Sequence, residues 1–248
     1  MLTVFRVAFG ALAAVKALQL TTKASISFEE GISLADQAAI ALPLGAVMLV
    51  AALFFILGRG VRRAAMAMLV GFLVFVIALD FYNHHTYLIS VVCAIFVLGL
   101  NVPQLLKLQL AIVYTFAALT KVNETYLSGS ELYASMVQHL FWQTVVGVDP
   151  EPAFLIAVSV ASIVVEAFLA VGLWFARTRR ITLVIGLCFH LSLVVLVTAG
   201  FDLFLDLAIY GGVMLSLYLP FFEEEINTLV RRNKAPVEQE PSPAQLVF

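Results

Sequence analysis

Residues 37–58 read QAAIALPLGAVMLVAALFFILG and contain no charged side chain. A run of this length can cross a hydrocarbon core about 30 Å thick as an α-helix, and in lipid only helices and closed barrels satisfy their own backbone polar groups. A second stretch at 153–176, AFLIAVSVASIVVEAFLAVGLWFA, repeats the pattern with Glu166 as its one charge. Further apolar segments fall at 2–20, 64–82, 86–101, 108–122, 181–199 and 203–222. The fold expected is therefore all-α, a polytopic transmembrane helical bundle of about eight spans. Segments 86–101 and 108–122 are short for a full crossing, so the Asn101-Val102-Pro103 break also fits a kinked or re-entrant hairpin.

Composition agrees with lipid as the solvent. The 248 residues are 62% hydrophobic and 12% charged, with a mean hydropathy of +1.04, whereas soluble domains are about half apolar and about a quarter charged. The net charge of −2 gives no basic stripe, so no nucleic-acid partner is expected. Cys93 and Cys188 both lie inside apolar runs, where a thiol acts as a small packing residue rather than as part of a disulfide framework. Arg6 and Lys16 interrupt the first segment; it lacks the charged, apolar, small-residue order of a cleaved signal and reads as a retained helix.

Lys and Arg in short loops are held on the cytoplasmic side. With eight spans, Arg6, Arg59/Arg62/Arg63, Lys107, Arg177/Arg179/Arg180 and Arg231/Arg232/Lys234 share one side, leaving Lys16, Lys23 and Lys121 opposite. Both termini are then cytoplasmic in a multi-pass protein, with the cell membrane the expected location. The chain divides into a membrane domain, 1–222, and a cytoplasmic tail, 223–248, whose Pro/Glu/Gln/Ser content reads as mostly disordered. Asp80, Asn83, His84, His85, Lys121, Glu124, Glu131, His139, Asp149, Glu151, Asp202 and Asp206 collect on the other side. The longest loop, 123–152, carries Leu132, Met136, Leu140 and Phe141 at helical spacing beside Tyr126, Tyr133 and Trp142, which reads as an interfacial helix, either an anchor or a lid.

Ionisable groups inside apolar spans cost roughly 2.5 to 3.5 kcal/mol each to insert and mark candidate sites. Glu166 and His190 lie near the middles of neighbouring segments, at a depth that suits a mutual pair or a functional role. Lys121 closes its segment; such a lysine commonly snorkels to the headgroups, but in a dry cavity it becomes available as a free amine base. The turn Asp80-Phe81-Tyr82-Asn83-His84-His85-Thr86-Tyr87 offers adjacent histidines. A metal site needs three or four convergent ligands, no second cluster has such spacing, and no metal is indicated. Phosphate-loop, nucleophile-elbow and zinc signatures are absent from the sequence.

The stretch Tyr114 to Gly129, YTFAALTKVNETYLSG, resembles the signature of vitamin K-dependent gamma-carboxylase and its bacterial relatives, the horizontally transferred transmembrane (HTTM) domain proteins: an aromatic-rich helix running into Ala-Gly-x-x-Lys, a short polar stretch, an aromatic residue and Gly. Asn83-His84-His85-Thr86-Tyr87-Leu88 looks like the family's Asn-His-x-Tyr-Leu turn. Glu166, Arg179-Arg180 and Phe189-His190-Leu191 resemble its later acidic, Arg-loop and Phe-His blocks, and Phe5 to Gly10 its first helix. The resemblance implies an enzyme that oxygenates a reduced quinone, with Lys121 as the base and His85 as its acid/base partner. Asn83, His84, Tyr87, Tyr114, Glu166 and His190 are then the expected substrate-binding residues, and a lipid-accessible hydrophobic small molecule the expected ligand. Ala118 departs from the motif Gly, and the sequence lacks the carboxylases' large C-terminal extramembrane part, so quinol oxygenation is expected rather than peptide-glutamate carboxylation. The alternative is a non-catalytic membrane factor for maturation, export or immunity of a secreted peptide, with the same groups as helix contacts.

Overall fold

The computed structural model describes residues 2–26, 34–137, 147–197 and 201–222. They form α1 (Leu2–Ile26), α2 (Leu34–Leu57), α3 (Val61–Ile77), α4 (His84–Leu98), α5 (Val102–Thr120), α6 (Glu124–Leu127), α7 (Ser130–Val137), α8 (Pro152–Gly172), α9 (Arg179–Val197), α10 (Phe201–Ser216) and a closing 3-10 turn, Leu219–Phe222. Among the described residues there is no strand. The chain is a polytopic helical bundle, in which α1, α2, α5, α8 and the 203–222 segment are long and apolar enough to cross a membrane. At 15 residues, α4 reaches only about 22 Å.

Helix limits differ from the apolar runs where polar residues continue a helix past the lipid. α1 runs on through Lys23 to Ile26, and α5 begins at Val102 rather than near 108. Pro103 occupies the first turn of α5, where no backbone donor is required. The link from α4 is tight: Gly99 caps α4 in the left-handed region at φ 68° and Asn101 follows at φ 34°. α4 and α5 are thus two helices separated by a sharp turn. α3 stops at Ile77, and Asp80 at φ 53° turns the chain toward α4.

Consecutive helices α1 to α4 pack as neighbours, while α5 packs on α8 and α8 on α9. α10 joins the two groups by touching α1, α4 and α9. One end of the bundle gathers basic residues. A Cβ on Gly58 would stand 2.8 Å from the Arg6 guanidinium, Lys107 lies 5.4 Å over the Phe221 ring, and Arg179 lies 5.9 Å over Phe222. Nearby, Phe5 stacks on Phe96 at 5.8 Å.

Two short helices, α6 and α7, fill the described part of the 123–152 loop. Met136 is buried, Tyr133 is exposed, and α7 rests on α8 and α9. The expected helix positions Leu140, Phe141 and Trp142 lie outside the described residues, as do His139 and the tail 223–248.

Candidate functional site

Helix faces at spacing four aim the polar groups inward. On α5, Leu106, Leu110, Tyr114 and Ala118 are the buried stripe, and Lys121 follows within one turn. On α8, Leu155, Ser159, Glu166 and Leu169 form the facing stripe. Where these stripes meet, Lys121 Nζ donates to Glu166 Oε1 at 2.5 Å. Lys121 therefore turns inward onto a carboxylate and does not run out to headgroups. Glu166 is 4% exposed, and among the described residues its Oε2 has no hydrogen-bond partner. The Lys121 ammonium also sits 5.4 Å above Tyr126 and 5.9 Å from the Phe189 ring centroid, positions in which a desolvated cation gains from aromatic faces.

The motif around Lys121 has a local structural cause. Asn123 caps α6 by accepting from Tyr126 N–H at 2.8 Å, which sets Tyr126 beneath the lysine, its hydroxyl 2.7 Å from Ser162 Oγ. Gly129 then turns the chain at φ 80°, with Leu155 so close that an added Cβ would lie 2.5 Å from the leucine Cβ. Only glycine meets both conditions.

A second group is centred on Tyr114. Its hydroxyl lies 2.8 Å from His190 Nε2 and 2.6 Å from the Tyr218 hydroxyl. A tyrosine hydroxyl donates once, so the three groups form a directed chain whose sense follows the His190 tautomer. Gly186, one turn before His190, makes room: a Cβ there would fall 2.0 Å from the Tyr218 oxygen. Glu166 and His190 thus take separate partners, Lys121 and Tyr114, and do not pair with each other. Both side chains turn toward α5 but meet it at different levels: Glu166 reaches Lys121 at its end, and His190 meets Tyr114 about two turns earlier.

The third group was not singled out from the sequence. Lys16, fully buried on α1, donates to Asp206 Oδ1 of α10 at 2.6 Å and to Gln19 Oε1 at 2.9 Å. Lys23 approaches Asp206 Oδ2 at 3.5 Å, and His85 Nε2 lies 4.0 Å from Oδ1. His85 Nδ1 is buried with no hydrogen-bond partner among the described residues. Tyr210, one turn after Asp206, stands between the groups, 5.4 Å from the His85 ring and 6.0 Å from the His190 ring. The contacts of Lys121 and of His85 do not include each other; aromatic rings connect them. A buried lysine in an apolar helix and an aspartate in another are the signal in the sequence for this pair, but nothing in a separation of 190 positions says that they meet.

The turn before α4 splits its residues. Asn83 is the cap of α4, its side-chain oxygen accepting from Thr86 N–H at 2.8 Å and from Thr86 Oγ1 at 2.7 Å. His84 and Tyr87 are exposed, with His84 edge-on to Tyr82 at 6.0 Å. Only His85 from this turn reaches the interior group. Among the described residues, no three His, Cys, Asp or Glu side chains are grouped to hold a metal ion.

No match is found among curated proteins or among solved structures. The family model of the HTTM domain matches residues 101–215, the segment that carries Tyr114, Lys121, Glu166, His190, Asp206 and Tyr210, while Lys16 and His85 come from helices before it. The chain is an integral membrane protein whose residues 101–215 match the HTTM domain model, the family its sequence resembles.

Proposed function

We propose that this protein is a membrane enzyme acting on a reduced, hydrophobic quinone-like molecule, with Lys121 as base and His85 as acid/base partner. The observation that carries the reading is the inward Lys121–Glu166 pair. A lysine that donates to a buried carboxylate at 2.5 Å is held facing the interior, where the pair can take up a proton from a bound molecule. Glu166 is thus the partner that positions Lys121.

Two buried atoms without a partner among the described residues support a ligand with polar groups: Glu166 Oε2 beside Lys121, and Nδ1 of the His85 ring whose Nε2 lies 4.0 Å from Asp206. The rings of Phe189, His190 and Tyr210 stand between those two groups, a lining suited to a flat aromatic molecule. A reduced quinone supplies phenolic hydroxyls that react with oxygen once deprotonated. Lys121 accepts such a proton, and His85, steadied by Asp206, handles a proton at the second group. In this reading the basic end of the bundle faces the cytoplasm, both termini lie there, and the site is in the outer half of the cell membrane.

The test is quinol-dependent oxygen uptake by the purified, detergent-solubilised protein, comparing wild type with Lys121→Met and His85→Gln. Uptake that falls at least about 100-fold in both variants, in line with loss of a positioned acid or base, supports the reading. Absence of uptake from folded wild type with several quinols overturns it in favour of a non-catalytic factor for a secreted peptide.

A further inference from the structure

At the basic end, far from the three polar groups, α2 and α3 are joined by a turn in which Gly58 and Gly60 are both left-handed, at φ 73° and 60°. Below the turn the two helices leave a groove of about 470 Å³, within the usual range of ligand sites. Val47, Val50 and Phe54 of α2 form one wall, at the three- and four-residue spacing of a single helix face. Ala64 and Ala67 of α3 form the other, and their small side chains are what leave the space. Arg59 and Arg63 stand at the mouth.

We infer that this groove binds an anionic glycerophospholipid, the phosphate held between Arg59 and Arg63 and an acyl chain lying along the α2–α3 trough. From Val47 to the end of α2 at Leu57 the trough extends about 15 Å along the helix axis, with Arg59 just beyond, so its charged mouth and apolar floor follow the order of headgroup and acyl chain in a leaflet. Val47, Val50 and Phe54 are each about half exposed and open to lipid. Among the described residues neither Arg59 nor Arg63 has an acidic partner, and guanidinium planes match phosphate oxygens in geometry and charge. A zwitterionic lipid brings its own cation to the same place and gains less. The inference is independent of any catalytic role.

The experiment uses the full chain in detergent, with thermal unfolding and native mass spectrometry read against added phosphatidylglycerol, phosphatidylcholine and inorganic phosphate. Phosphatidylglycerol is expected to raise the melting temperature and to remain bound, whereas phosphatidylcholine and millimolar phosphate do neither. In R59Q/R63Q the apparent Kd for phosphatidylglycerol is expected to weaken about 30-fold, since each interfacial arginine contributes about 1 kcal/mol. Ala67→Trp, which fills the trough and keeps both arginines, is expected to abolish the lipid-induced shift. All shifts are taken relative to the same variant without lipid, so a change in intrinsic stability does not enter. Equal retention of both lipids, protection by phosphate alone, or an unchanged phosphatidylglycerol effect in both variants overturns the inference.

Discussion

Asp206 holds α10 against α1 through an ion pair with a lysine that has no exposure at all, and the pair predicts an asymmetric response to mutation. In Asp206→Asn, Lys16 keeps only neutral amide oxygens, Gln19 Oε1 at 2.9 Å and that of the substituted side chain, and becomes a buried cation without a counter-charge. In Lys16→Met, Asp206 still has Lys23 at 3.5 Å and some exposure to water. Removing one partner of a buried pair costs about 3–5 kcal/mol, so Asp206→Asn is expected at the upper end and Lys16→Met at or below the lower end. For a chain of this size each kcal/mol lowers Tm by about 2–4 °C, which places Asp206→Asn about 10–20 °C below wild type. The double variant Lys16→Met/Asp206→Leu removes both charges together and is expected to recover most of the loss, because a buried pair exchanged for apolar groups is often neutral. Thermal unfolding in a fixed detergent, with Gln19 unchanged, reads all three. A double variant no more stable than Asp206→Asn would refute the assignment of the cost to an uncompensated charge, as would equal losses in the two single variants.

Tyr114→Phe is expected to lower stability by about 1–3 kcal/mol in the same assay, since His190 Nε2 and the Tyr218 hydroxyl both lose their buried partner. Gly186→Ala forces the Tyr218 oxygen from its place and is expected to destabilise as well; Tyr218→Phe in the same chain should restore part of the loss by removing the obstructing atom. Asn83→Ala should cost about 0.5–2 kcal/mol as a lost helix cap, with Asn83→Asp close to wild type. An Asn83→Asp variant as unstable as Asn83→Ala would mean that the side-chain amide serves something other than the cap.

The sequence by itself determined the environment and the class of fold. Uncharged runs such as 37–58 have no stable state in water, and in lipid a backbone without neighbours must close its own hydrogen bonds, so helices follow from local composition. It also marked Lys121, Glu166 and His190 as groups that are costly to bury, and the family resemblance pointed to His85. What it left open is which of them meet. Glu166 and His190 both fall near the middles of their apolar segments, yet one meets Lys121 and the other Tyr114, because pairing depends on how each helix docks against α5. Asn83, expected among the substrate-binding residues, is a helix cap through the conformation of its own turn. The Lys16–Asp206 pair, and the placement of Tyr210 between two histidines, required α10 to dock between α1, α4 and α9. That docking is a property of packed faces distant in the chain, and no local spacing encodes it.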